Sequence, residues 1–280
     1  MTGIRKRKIN NAIAMGVAAS CAAVGLGLLL LILYDVLKNG LSSFGWTLFA
    51  NDPAPPGMEG GGLRSAFLGQ ILLTAAALAA GVPAGVLAGT FLSEYGRNMK
   101  LSKIISAVSD MAVSIPSIVT GAFVYAILVK PFGGFNGWAG AAALAIIVLP
   151  IIVRTTESMT SMVPWSLREA AFALGAPYHK VIMGVVWRSA AGGIFTGVLL
   201  AAARAAGETA PLLFTSFNSG HFSLNMGRPV PSLTVTIYQY AASPYESWVS
   251  LAWGAAFAVT AAVLVLNVTG RLLIKLRQGK

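Results

Sequence analysis

The chain has 280 residues, 56% of them hydrophobic and 10% charged, with a mean hydropathy of +0.74. A soluble domain carries about 25% charged residues, so the composition excludes an ordinary soluble enzyme and points to an integral membrane protein. The net charge of +11 does not mark a nucleic-acid binder, because the basic residues sit at the ends of apolar runs, the pattern that sets membrane orientation.

The first apolar segment, about Ala12–Leu37, follows the basic cluster Arg5-Lys6-Arg7-Lys8. It holds the one cysteine, Cys21, so no disulfide can form within the chain. Ala18-Ala19-Ser20-Cys21 has a faint likeness to a lipoprotein cleavage box. However, the apolar run continues to Leu33, whereas a signal peptide ends near its cleavage site. We read an uncleaved membrane helix in which Cys21 packs as a small hydrophobe.

Five further segments are long enough to span: Ala66–Leu92, Ile104–Val129, Trp138–Val163, Ile182–Leu213 and Trp248–Leu273. Each of the six exceeds the roughly 20 residues that cross a hydrocarbon core of about 30 Å. The expected class is therefore all-α, a polytopic protein with six transmembrane helices. With the N-terminus inside, fifteen basic residues fall on the cytoplasmic side, and Lys38, Arg64, Lys130 and Arg228 fall outside. This asymmetry predicts that both termini are cytoplasmic. The chain divides into a tail and first span (1–37), an outer loop (38–65), a five-span core (66–273) with a cytoplasmic loop at 164–181, and a tail (274–280).

The first outer loop carries Pro53, Pro55, Pro56 and Gly60-Gly61-Gly62, which are turn and loop formers. The second, about Phe214–Ser247, contains Leu233-Thr234-Val235-Thr236-Ile237-Tyr238. Its alternation fits a short strand or a short re-entrant or interfacial helix, and six residues do not separate the two.

Within the spans, Gly81-x-Pro83-x-Gly85-x3-Gly89 and Gly193-x3-Gly197 allow close approach of helices, either inside this chain or against a partner. Pro83, Pro116 and Pro150 lie in the second, third and fourth spans, where proline often kinks or unwinds a helix. Arg154 and Glu157 are expected to pair locally, and Asp110 to be solvated or paired. His179 and His221 have no metal-ligand spacing around them, so no metal is assigned.

The loop after the fourth span is Ser166-Leu167-Arg168-Glu169-Ala170-Ala171-Phe172-Ala173-Leu174-Gly175. Ser166 with Glu169 fits a capping box, the alanines extend a helix, Gly175 can end it, and Pro177 suits the start of a second helix. Arg168 and Glu169 offer charge. The element is either a docking helix for another protein or an interfacial helix on lipid. Its small side chains favour docking, since lipid-bound helices carry bulky apolar faces.

Further on, Arg204 and Glu208 stand at i and i+4, so they can pair, with Thr209 beside them. Ionisable groups inside a span mark a pathway by default; the alternative is a structural ion pair with Arg204 snorkelling. The chain has no G-x-x-x-x-G-K-[ST] loop, no H-E-x-x-H and no G-x-S-x-G, so no catalytic role is assigned and no nucleotide cofactor is expected on it.

The run Glu169-Ala170-Ala171, three residues, then Gly175, resembles the EAA loop of binding-protein-dependent ABC importer permeases. Ser166, Arg168, Glu169, Ala170, Ala171 and Gly175 are the coupling residues this implies. One departure is Arg188 where the family usually has proline. Gly207–Thr215, reading Gly-Glu-Thr-Ala-Pro-Leu-Leu-Phe-Thr, and Ser232–Tyr238 are similar to the phosphate-specific branch, the PstA type. The resemblance implies the type I importer permease fold in a bacterial inner membrane and a heterodimer with a second, related permease. It also implies two ATPase subunits that hold ATP and Mg, and a periplasmic phosphate-binding protein. On this reading Arg204, Glu208 and Thr209 line the substrate pathway. Another oxyanion (sulfate, molybdate or phosphonate) is the alternative cargo. A self-sufficient secondary transporter, which often shows matching halves, is the rival class.

Overall fold

The structure, a computed structural model, describes residues 2–58, 60–96 and 99–278. Arg97, Gly279 and Lys280 lie outside the described residues, as do the side chains of Arg5, Lys275 and Arg277. Among the described residues all regular structure is helical. Five helical segments are long and apolar enough to cross a membrane, and a sixth crossing counts if one sharply bent pair forms a single span.

Helix α1 (Thr2–Ser43) and α12 (Glu246–Gln278) pack together near the end of α1, where Gly40 lies against Phe257 and Gly254 against Ser43. Most of α1 is free of other elements, with Leu28 to Ile32 all exposed. Helix α12 runs on through Gln278, so the stretch assigned as a C-terminal tail continues the last helix. Short α2 (Trp46–Ala50) follows α1, and its apolar Leu48 is buried with Leu63 and Ala66 at the start of α3 (Arg64–Thr90). Arg64 pairs with Asp52 at 2.5 Å, closing the Pro- and Gly-rich segment between them.

The centre of the fold is α3 against α6 (Gly137–Ser161), with α9 (Trp187–Gly207) packed on α6 and also touching α3. Glycine spacing explains the fit. Gly81, Gly85 and Gly89 of α3 face Val148, Ile152 and Val153–Thr156 of α6, while Gly193 and Gly197 of α9 face Met159 and Thr155. Both glycine series thus pack within this chain, which decides between the two alternatives left open by spacing. Small residues let apolar helices approach closely where no water drives them together. Val148, Ile152, Ala201 and Ala205 form the adjoining core. The helices pass through Pro83 and Pro150 without interruption.

Proline acts differently in the third predicted span. The expected single helix over 104–129 is instead α4 (Lys100–Ser114) and α5 (Ser117–Val124), the latter extended by a π turn at Tyr125–Val129. The two are bent by 108°. Pro116 cannot donate to the carbonyl four residues back, and it drives Ile115 into extended backbone at φ −72°, ψ 127°.

The fifth predicted span also divides. Helix α9 ends at Gly207, Glu208 is extended at φ −77°, ψ 129°, and α10 (Ala210–Thr215) begins a new direction. Pro211 would otherwise clash with the carbonyl of Gly207 and leave it unbonded. The alternating run 233–238 is helical: α11 (Leu233–Ala241). At about 1.5 Å per residue it is too short to span. It is pinned instead by Gln70, which accepts from the Leu233 N–H at 3.1 Å, and by Thr234, which donates to the Glu208 carbonyl at 2.8 Å.

Candidate coupling and pathway sites

Helix α7 (Trp165–Ala173) and the single turn α8 (Tyr178–Val181) form the loop between α6 and α9. Its C-terminal end follows the sequence expectation. Gly175 takes φ +77°. Its N–H bonds to the Phe172 carbonyl at 2.8 Å, and the Ala176 N–H bonds to Ala171 at 3.2 Å. This double bond pattern is a Schellman motif, which needs a left-handed residue in the position Gly175 fills. An added Cβ there meets nothing within 4 Å, so the cost of a side chain is conformational alone. Gly175→Ala should therefore cost about 1–2 kcal/mol, read as a lower thermal midpoint in detergent, and Gly175→Asn should recover part of it. An unchanged midpoint for the alanine variant would count against the motif.

The N-terminal end differs from the expected capping box. Helix α7 starts at Trp165 after Pro164, and no side chain caps it. Ser166 is already the second helical residue, so its hydroxyl cannot reach over the free N–H groups as a capping residue does.

Arg168 is the larger correction. Read from sequence as an outward charge, it is buried, with its side chain 5% exposed and that of its partner Glu94 2% exposed. The π turn Phe91–Tyr95 ends α3 and presents Glu94. Arg168 donates to Glu94 Oε1 at 2.5 Å and Oε2 at 3.2 Å, a two-point guanidinium–carboxylate contact. It also donates to the carbonyls of Thr160, in the last turn of α6, at 3.0 Å and of Val163, just past it, at 2.5 Å. Its guanidinium lies 5.5 Å from the Trp165 ring centre. Burial on this scale is tolerated only when the charge is paired and its donors are used.

Other side chains gather at the same point. The Tyr178 hydroxyl donates to the Glu94 carbonyl at 3.0 Å, and its ring lies parallel to Phe172, with centroids 5.8 Å apart. Thr160 donates to Ser93 at 2.7 Å, and Trp187 Nε1 donates to Thr90 at 2.9 Å. Trp187 follows a π turn at Ile182–Val186, through which the helix enters α9 unbroken. The departure at Arg188 is accommodated there without a turn. Glu94, Tyr178, Thr90 and Trp187 were not legible as site residues. A lone carboxylate at the end of an apolar run is the one signal that could have drawn attention to Glu94.

What α7 and the residue after it leave outward is Ser166, Glu169, Ala170 and Ala173, together with Trp165, Leu167 and Leu174, while Ala171 is half-buried. The outward face is thus more apolar and bulkier than the alanine run suggests, with Leu174 89% exposed.

At the other end of α9, Arg204 Nε lies 3.3 Å from Glu208 Oε1. The expected pair forms, although Glu208 stands just past the helix rather than on its face. Thr209 is the next residue, and its carbonyl receives the Leu212 N–H at 3.1 Å to start α10. Arg204 keeps a side-chain exposure of 47% against 14% for Glu208, so the cation is the accessible member. Arg154 joins Glu157 at 2.7 Å, as expected, and also Asp110 of α4 at 2.5 Å. It donates to the Ser106 carbonyl at 2.9 Å as well, so this cluster ties α4 to α6.

The fold is thus an all-helical bundle of apolar spans in which α6 and α9 flank a short, structured loop, and the class of protein it belongs to follows from the comparisons. Residues 81–278 match the model of the family described as "Binding-protein-dependent transport system inner membrane component". The chain belongs to that family. It is a multi-pass membrane protein and the transmembrane component of such a system. It is 45% identical over 266 residues to the phosphate transport system permease protein PstA of Haemophilus influenzae, covering 95% of this chain and 94% of that one. Against the protein of the same name from Mycobacterium bovis, designated PstA 2, it is 35% identical over 271 residues, covering 96% and 89%. Among solved structures, an inward-facing MetNI methionine ABC transporter chain superposes with a TM-score of 0.61 at 19% identity, over 76% of this chain and 94% of that chain. That likeness concerns the fold.

Proposed function

We propose that this chain is the membrane-spanning, non-catalytic permease subunit of an ATP-driven importer for inorganic phosphate. The observation that carries this reading is the 45% identity, across nearly the full length of both chains, to a phosphate transport permease. The termini and the α7 loop lie on the cytoplasmic side, as the basic residues indicate. A second, related permease completes the translocation unit. Two ATPase subunits, which hold ATP and Mg, receive the exposed face of α7 around Ser166, Glu169 and Ala170. A periplasmic binding protein delivers phosphate to the opposite end.

At that opposite end, Arg204 supplies the charge a phosphate ion meets, and Glu208 limits how tightly it is held. A pathway must release its ion as well as admit it. Thr209, next to the helix break, adds a hydroxyl beside the pair. Reconstitution of the whole complex in liposomes tests the function: external phosphate should enter only with ATP and the binding protein, and sulfate should not replace it. Transport by this chain alone without ATP would overturn the reading. Within that system Arg204→Ala should lower uptake at sub-saturating phosphate about 10- to 100-fold, the equivalent of losing one charged hydrogen bond of about 1.5–3 kcal/mol. Unchanged uptake in an assembled complex would remove Arg204 from the pathway.

A further inference from the structure

We propose that Glu94, Arg168 and Tyr178 form a latch that fastens the coupling helix to the end of α3, so that a displacement of α7 moves α3 and α6 as one body. The inference rests on the reading of α7 as the ATPase-docking element and extends it to the path the motion takes.

Covalently, α7 is joined only to its neighbours in sequence, α6 and α8. Helix α3 is remote: Glu94 and Arg168 are 74 positions apart. Nevertheless the end of α3 is bound to this loop through Glu94, and to α6 beside it through Ser93. Glu94 takes two bonds from Arg168, the Glu94 carbonyl takes one from Tyr178, and Ser93 takes one from Thr160. Aromatic contact continues the join, with Tyr95 edge-on to Tyr178 at 5.1 Å and Tyr178 parallel to Phe172 of α7. Arg168 is the hub, because the same guanidinium holds α3 through Glu94 and the end of α6 through the carbonyls of Thr160 and Val163.

A two-point guanidinium contact fixes orientation as well as distance, which a single apolar contact does not. The face that holds the latch is separate from the face that would meet an ATPase. Arg168 points inward, while Glu169 and Ala170, adjacent in sequence, are exposed. Docking and transmission therefore fall on opposite sides of one helix and can be separated by mutation. In this arrangement Glu94, Arg168 and Tyr178 are positioning residues; none of them needs to touch phosphate or nucleotide.

The test uses the complete reconstituted complex, with ATP hydrolysis and phosphate import measured on the same liposomes. Glu94→Gln and Tyr178→Phe keep side-chain volume and leave the outward face intact. Both are expected to retain ATPase co-purification and ATP hydrolysis while import per ATP falls at least about fivefold, with Glu94→Asp intermediate. Wild-type import per ATP in both assembled variants would overturn the latch. Loss of ATPase co-purification in both would overturn it too, since the residues would then serve docking or folding. Glu169→Arg is the separate arm for the underlying reading. It should strip the ATPase, and if it does not, the docking assignment of α7 fails whatever the latch variants do.

Discussion

Replacing Gly89 with valine is expected to prevent the α3–α6 pair from closing, and with it the accumulation of a stable, monodisperse protein. A Cβ at position 89 would lie 2.5 Å from the Val153 carbonyl oxygen, 2.7 Å from Thr156 Cβ and 3.0 Å from the Glu157 nitrogen. Ordinary contact distances are about 3.5–4.0 Å. Two of these three neighbours are backbone atoms of α6, which no rotamer change can move. The helices themselves must separate, and the close seam continues through Gly85 and Gly81. Overpacking costs about 1–3 kcal/mol where side chains can adjust, so a backbone-limited site belongs at or above the top of that range.

The same seam gives an internal ranking. At Gly85 the added Cβ meets Ile152 side-chain atoms at 2.7 and 2.8 Å, and at Gly81 it meets a Val148 methyl at 2.9 Å. Alanine should therefore be worst at 89 and mildest at 81. Gly25, with nothing within 4 Å, should accept alanine without loss. Thermal midpoints in detergent for the four alanine variants and Gly89→Val check this. A wild-type midpoint for Gly89→Val would mean that the close approach of α3 and α6 is not as described.

Removing Glu94 alone should be the most damaging single charge deletion at the α7 end. Glu94→Ala leaves a guanidinium buried without its counter-ion, a situation that costs about 3–5 kcal/mol. The double variant Glu94→Leu with Arg168→Met removes both charges at similar volume and should return much of that stability, because well-packed apolar residues often replace a buried ion pair without loss. Recovery should stop short of wild type. Arg168 also serves the carbonyl of Val163, and a buried acceptor left unbonded costs about 1–3 kcal/mol, whereas the Thr160 carbonyl keeps the Val163 N–H at 3.2 Å. A double-mutant cycle on thermal or denaturant midpoints measures the coupling directly. Simple additivity of the two single changes would show that the pair contributes nothing specific, despite its burial.

These two sites also differ in how far they could be read beforehand. The glycine series of α3 is a local pattern: residues four apart share a helix face, so the sequence alone marks a close-packing stripe. It does not say which helix fills the stripe, and the tertiary fold supplies α6. Proline breaks are similarly local in cause. Pro116 and Pro211 lie in runs apolar enough to span, and their missing N–H groups ended helices there. Pro83 and Pro150 carry the same chemistry, yet their helices continue, so the outcome depends on surroundings that the sequence does not list. The 233–238 alternation fits two periods over six residues, and packing on α3 and α12 made it a helix.

Composition, the ends of the apolar runs and the turn at Gly175 were determined by the sequence itself, because hydropathy, basic flanks and a left-handed φ act within a few residues. The membrane class and the position of the loop after α6 follow from those alone, whereas the third and fifth predicted spans each divide at a proline. The sense of Arg168 was decided only in three dimensions. As one charge in a short amphipathic loop it looks exposed, since its partner lies 74 residues earlier at the end of another helix. Once α3 and α6 are brought together by their glycines, Glu94 is placed where a buried charge needs an answer, and Arg168 turns inward to give it. That leaves Glu169 and its exposed neighbours as the outward face.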